Sequence, residues 1–415
     1  MAEAKKKRKR IHYTDHWLTG AMVVLTIFST IMIASANISN LSSVVSDVTS
    51  SVIKQLIFLT ISYTGYFVAI RMFSFDLVKK FLMPILLIEL GALLATRMFG
   101  GIGGAYAWIR LPGGMSIQPS EFGKMLIVLT VANFMCDRKS KKITSWTTLA
   151  RFPLLEMIFY AAIIVVWQSD FGSGFVLIAI GTICYMIPDH PLLKKSQIVL
   201  FGIVIFVMVM TVFLMSPTFE KFLLSEAVQS WMESDGFLPK VFSRISYQFY
   251  RFLSAGDPLW DRFGYSQELL NSLLGISRGN IRGVGLGNSI QKFGYLASAD
   301  ADYIFPVIVE ELGLIGIAFV FIPYGIILAT LIRYALKVKT EKEKVVLVGA
   351  ASYLFVHMFL NIGGVSALIP LTGVPLVMVS RGGTALISYM FMLGICQNII
   401  ARYRIKEEED ADNQW

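Results

Sequence analysis

About ten apolar runs, each near the roughly 20 residues that a helix needs to cross a bilayer, divide this chain and leave few folds open to it. They centre near Val24, Ile61, Ile85, Val128, Ile163, Ile178, Ile205, Phe319, Phe355 and Phe391. In a chain of 415 residues that is 55% hydrophobic, runs of this length point to membrane spans rather than to the core of a soluble domain. A membrane barrel would show alternating segments of about ten residues, which the sequence lacks. The expectation is an all-α polytopic membrane protein with about ten transmembrane helices. The first run follows the basic start MAEAKKKRKR, but about sixteen polar residues precede it and no small-residue cleavage site follows, so it reads as a retained anchor.

The net charge of +9 reports orientation in the membrane. Basic residues cluster at Lys5 to Arg10, Arg138 to Lys142, Lys194 with Lys195, Arg333 to Lys344 and Arg402 to Lys406. If the spans alternate, all of these lie on one side, which the positive-inside rule makes cytoplasmic. Both termini then face the cytoplasm, with a basic tail over residues 1–16, a transmembrane domain over 17–401 and an acidic, solvated tail over 402–415. A nucleic-acid partner is not expected. Cys136, Cys184 and Cys396 fall on or near the cytoplasmic side, with no CxxC for metal. His12 and His16 read as a solvated pair rather than a metal site.

Two segments on the opposite face break the pattern. The first, about 216–301, is roughly 85 residues long, more than a simple connection needs. Its Phe219, Trp231, Phe237, Phe249, Phe252 and Trp260 argue for short helices at the membrane interface. The second, Asn361 to Gly383, reads NIGGVSALIPLTGVPLVMVSRGG, and irregular backbone at membrane depth survives only in protein or beside a wet cavity.

Ionisable residues gather at that same face. Lys54 opens the second span, Glu121 and Lys124 the fourth, and Asp302 the eighth, while Asp170 lies between the fifth and sixth. Charges at span ends mark pathways and sites, or are neutralised by partners. Glu121 and Lys124, three residues apart on one helix face, fit either a structural ion pair or a substrate contact. Asp170 fits either an N-cap or a site residue. Asp300 is expected to stay hydrated, and Glu310 and Glu311 to be neutralised in helix packing. The glycines of GVGLGNS serve either a tight turn or a close backbone approach, such as to an anionic head group.

Four motifs in order carry a family resemblance: GGAYAWIRL with IQPSEFGK, QSDFGSG, GLGNSIQKFGYLASADADYIFPVIVEELGLIG and NIGGVSALIPLTGVPLVMVSRGG. With them the chain resembles the SEDS family of shape, elongation, division and sporulation proteins, the FtsW and RodA group. The run GLGNSIQK is more similar to FtsW, the division branch. The chain departs from the family pattern where Ala297 and Ser298 replace a Pro-Glu, Ser169 interrupts a Gln-Pro-Asp, Val377 and Met378 replace a Pro-Phe, and Arg381 stands where an aromatic is common.

The resemblance implies a peptidoglycan glycosyltransferase that polymerises lipid II outside the cytoplasmic membrane, with a class B penicillin-binding protein and other divisome proteins as partners. It implies that Asp302 is the essential carboxylate, and that Glu121, Lys124, Asp170 and Lys54 line the cavity. A sugar hydroxyl is a poor nucleophile, so Asp302 would act as general base. The leaving diphosphate would be met by Lys54, Lys124 or a divalent cation (Mg or Mn), with Arg251 and Lys292 as further candidates. Rival readings are a RodA-like elongation polymerase, a lipid II flippase and a non-catalytic scaffold. The clustering of charge at one rim, without an internal repeat, argues against a transporter.

Overall fold

The computed structural model describes residues 10–38, 44–101, 104–136, 144–234, 236 and 249–412. Lys5 to Lys9, the cluster Arg138 to Lys142 and Phe237 lie outside the described residues. Each expected centre falls in a helix: α1 His16–Ala36, α2 Val44–Met72, α3 Phe75–Ala95, α4 Ser120–Met135, α5 Trp146–Ala162 with its π-turn Ile163–Trp167, α6 Phe171–Tyr185 and α7 Lys194–Leu214. The short helices α8 Pro217–Leu223, α9 Glu226–Glu233 and α10 Gln267–Gly279 precede α11 Ile304–Lys337, α12 Glu341–Val365 and α13 Gly383–Asp412.

Among the described residues, seven helices are long and apolar enough to cross a membrane. The other three of the ten fall short for visible reasons: α4 has 16 residues, α6 has 15, and α3 carries Asp76, Lys79, Lys80 and Glu89. Short α4 and α6 pack against each other and against α12 in the middle of the bundle. None of the residues of α7 is buried in the molecule, so most of its apolar surface is available to lipid, with Leu200 and Leu214 packed toward the protein. The segment after α7 is built from α8, α9, a helical stretch at 249–256 and α10.

Helix ends are set by local chemistry. Thr340 caps α12 by accepting from the Glu343 N–H, and its hydroxyl donates to the Glu343 carboxylate at 2.6 Å. Asp15 caps α1 through the N–H groups of Trp17 and Leu18 and pairs with Arg404 of α13 at 2.5 Å. Gln397 holds the Asp15 backbone from the other side, accepting its N–H at 2.8 Å and donating to its carbonyl at 2.9 Å. The first and last spans are thereby tied at the end that carries the termini. The acidic end is exposed and helical, since α13 continues unbroken to Asp412 and Lys406 to Asp410 are compatible with a solvated helix.

At the opposite end α11 is broken. Gly313 has φ 60° and ψ −138°, leaving a buried stub, Ile304 to Leu312, apart from the long span. The glycine-rich loop fills the break: Val284 and Gly285 donate to the carbonyls of Glu310 and Glu311, each at 2.9 Å, and Leu314 donates to Ile281 at 3.0 Å. A Cβ on Gly313 would meet the Ile281 carbonyl at 2.5 Å, and one on Gly283 (φ 71°) would meet that of Glu311 at 2.2 Å. The glycines of GVGLGNS thus serve a close backbone approach, to the broken helix of the same chain.

Gly313→Ala and Gly283→Ala should each destabilise the purified protein by about 1–3 kcal/mol, combining a strained backbone with a clash. Gly325→Ala, where a Cβ meets nothing within 4 Å, serves as the control. Thermal unfolding in detergent should show lowered midpoints for the first two alone.

Candidate functional site

Asp302 lies in the turn that feeds the α11 stub. Ala301 and Tyr303 both donate to the Ser298 carbonyl, at 3.0 and 3.2 Å. Asn361 of α12 donates from Nδ2 to the Asp302 carbonyl at 2.8 Å and to the Val374 carbonyl at 2.9 Å, joining this turn to the irregular segment after α12. The residue keeps part of its surface open while its carboxyl is largely enclosed. A Cβ on Gly373 would lie 3.6 Å from Oδ2, so the glycine leaves room at the carboxylate. Burial pushes Asp302 up from 3.8 to about 7; the nearby Arg251 pulls it down, and Asp170, Glu268 and Asp300 push it up. Arg251 donates to the Leu371 carbonyl at 3.1 Å, and the Tyr303 hydroxyl donates to Glu268 at 3.0 Å.

The irregular segment around 371–375 is where the site elements meet. A Cβ on Gly172, in the first turn of α6, would lie 2.3 Å from the Thr372 carbonyl, so α6 abuts this segment with no space for a side chain. Asp170 caps α6, accepting from the Ser173 N–H at 3.0 Å, while its other oxygen accepts from Gln118 at 2.8 Å. The capping reading of Asp170 is therefore realised, and its charge also reaches Asp302.

Glu121 and Lys124 form an ion pair at 2.7 Å, with side chains 1% and 0% exposed. Glu121 also accepts from the Tyr353 hydroxyl at 2.5 Å. The Lys124 ammonium lies 3.3 Å from Nε2 of His357, whose Nδ1 lies 3.1 Å from the Pro375 carbonyl. A carbonyl only accepts, so Nδ1 carries the proton and Nε2 accepts from Lys124. Lys124, expected at the diphosphate, is sealed under the site rather than open to it. Sequence reasoning missed His357 because it stands among apolar neighbours in a long, mostly apolar helix. Its signal was periodicity: Tyr353, His357 and Asn361 recur every four residues and so share one face of α12.

Lys54 is half-buried on α2, against a hairpin of β1 Ile109–Leu111 and β2 Met115–Ile117 that precedes α4. Its ammonium would be 3.1 Å from a Cβ on Gly114, at the hairpin tip.

Two more residues lie differently from expectation. Lys292 was expected at the diphosphate, but it is buried and spends its donors internally, on the carbonyls of Ser35 (3.0 Å) and Gly287 (2.8 Å) and on Glu311 (2.8 Å). A buried carboxylate on the stub needs a counter-charge, and the returning loop supplies Lys292. Asp300 was expected to be hydrated, yet it is 7% exposed and paired with Arg381 at 2.8 Å. Glu310 and Glu311 are fully buried and neutralised in packing, Glu310 by Arg278 at 3.1 Å and Glu311 by Lys292.

Among the described residues, no group of three or more His, Cys, Asp or Glu side chains is arranged to hold a metal ion. The acids around Asp302 therefore do not fit a cage for a resident cation.

Fold and site together define a multi-pass membrane protein with an enclosed carboxylate at one end of its bundle. A family model for the FtsW, RodA and SpoVE cell cycle proteins matches residues 16–405, and the chain belongs to that family. It is 30% identical over 395 residues to the probable peptidoglycan glycosyltransferase FtsW of Bacillus subtilis (strain 168), covering 94% of this chain and 92% of that protein. The corresponding protein of Enterococcus hirae is 28% identical over 400 residues, covering 95% and 94%. Among solved structures, a chain of a peptidoglycan synthase complex that coordinates polymerization and crosslinking superposes with a TM-score of 0.67 at 21% identity, covering 94% of this chain and 98% of that one.

Lys292→Ala should cost about 3–5 kcal/mol by stranding Glu311 in the interior. Lys292→Met combined with Glu311→Gln should recover a large part of that loss, read as the unfolding midpoint of the purified protein.

Proposed function

We propose that this protein is an inverting peptidoglycan glycosyltransferase that polymerises lipid II at the outer face of the cytoplasmic membrane, in the service of septal wall synthesis. The observation that carries the reading is Asp302: an enclosed carboxylate whose pKa of about 7 suits proton transfer near neutral pH, in a member of a family with relatives named as such transferases. The FtsW-named relatives, matched over nearly their whole length, favour the division branch over an elongation role.

In the proposed reaction the 4-hydroxyl of an acceptor N-acetylglucosamine attacks the anomeric carbon of the donor N-acetylmuramic acid. Asp302 takes the hydroxyl proton as the new glycosidic bond forms. The bond from the anomeric carbon to undecaprenyl diphosphate breaks, and its electron pair leaves with the diphosphate. Arg251, whose charge reaches Asp302, is the best-placed cation to meet that charge, and half-buried Lys54 is a second. Glu121, Lys124 and Asp170 act beneath the substrate, holding the 371–375 segment and α6 in register. A divalent cation, if the reaction uses one, would come with the diphosphate oxygens rather than from a protein cage. Apolar grooves between the spans accept the polyprenyl tails. A class B penicillin-binding protein and other divisome proteins are the proposed partners, and the septum the proposed location.

Asp302→Asn keeps the shape and removes the base. Polymerisation of lipid II by the purified variant should fall to background while membrane expression stays near that of the parent. Polymerisation at the parental rate would overturn the assignment of the base.

The pH dependence follows from the raised pKa. Because the base must be ionised, activity should rise with pH through about 7 rather than near the ordinary 3.8. Arg251 favours the ionised form, so Arg251→Ala should move the rising limb to higher pH. Initial rates across pH 5.5–9 would check both expectations.

A further inference from the structure

Asp300 and Arg381 are far apart in sequence and doubly joined in the fold. The Arg381 guanidinium lies 2.8 Å from Asp300 Oδ2, and the Arg381 N–H donates to the Asp300 carbonyl at 2.8 Å. Asn37, at the end of α1, donates to the same carboxylate at 2.9 Å. The acid is nearly buried, whereas the Arg381 side chain is 49% exposed. Asp300 stands two residues before Asp302, on the turn that presents it. The charged groups acting on Asp302 come from several elements: Arg251 from the helical stretch 249–256, Glu268 from α10, Asp170 from the cap of α6 and Asp300 from its own turn. Three of these four are acids, so the surroundings oppose a negative Asp302 unless a cation offsets them.

We propose that Arg381 is a positioning residue for Asp302: its ion pair with Asp300 fastens the turn to the segment before α13 and cancels the negative charge beside the base. The role rests on the reading of Asp302 as general base. A mere staple between two loops makes the same contacts, but it does not touch the pH profile.

The test is the pH profile of lipid II polymerisation by purified full-length protein, from pH 5.5 to 9. Arg381→Met leaves Asp300 negative and uncompensated, so activity at pH 6.5 should fall about 3- to 10-fold relative to activity at pH 8.5, measured against the parent. Asp300→Asn should move the rising limb the opposite way, and the double variant should return toward the parental profile. Should Arg381→Met fail to reach the membrane, Asp300→Asn and the double variant carry the same comparison. Losses that are equal at every pH, or an unshifted profile, overturn the proposal while leaving an inactive Asp302→Asn enzyme intact as evidence for the base. An active Asp302→Asn enzyme overturns the base assignment, and the positioning role with it.

Discussion

The site depends on one polar ladder inside α12. Tyr353, His357 and Asn361 repeat every four residues and present hydroxyl, imidazole and amide along a single stripe of the helix. The first rung holds Glu121, the second bridges Lys124 to the Pro375 carbonyl, and the third binds the backbone of Asp302 and Val374. A buried carboxylate and ammonium require such company in a low-dielectric interior, since an unpaired charge there is prohibitive. The same contacts that neutralise the Glu121–Lys124 pair therefore set the irregular segment at the height where Gly373 faces Asp302. Charge neutralisation and placement of the base are one network.

A second network acts from the other side. The stub of α11 carries Glu310 and Glu311, which face the returning glycine-rich loop. Arg278, Ser289 and Lys292 meet them, with Ser289 donating to Glu310 at 2.5 Å. Full satisfaction matters more than the number of bonds, because a half-satisfied buried cluster costs more than an apolar one. The turn containing Asp302 is thereby held at both edges, by α12 through Asn361 and by the stub into which it leads.

Much of this was legible in the sequence. Each of the ten apolar runs fell within a helical stretch, although among the described residues only seven of those helices are long and apolar enough to cross a membrane. Asp302, Glu121 and Lys124 stand out in the sequence against apolar neighbours, but nothing there shows that Glu121 and Lys124 are sealed in the interior. What stayed hidden depended on contacts between distant segments. Lys292 reads as a loop cation that could meet the diphosphate, and only the fold shows the loop returning it to Glu311. Asp300 and Arg381 had no sequence signal of pairing. Gly313, within GLIG, reads as an ordinary helix glycine, and only the backbone of Ile281 to Gly285 explains its left-handed conformation. His357 was discoverable from its four-residue spacing, although that spacing acquires meaning only once Glu121 is known to lie opposite.

The break at Gly313 has a mechanical consequence. A continuous α11 would act as a lever, carrying any tilt of its long span straight to Asp302. Bilayers of different thickness impose such tilts, because a hydrophobic stretch leans to match the hydrocarbon around it. Interrupting the helix adds further determinants of the stub's orientation, because the loop residues Ile281 to Gly285 bond to both sides of the break and α12 holds the turn before it. The height of the carboxylate is thus set by contacts within the protein as well as by the lie of the long span in the lipid.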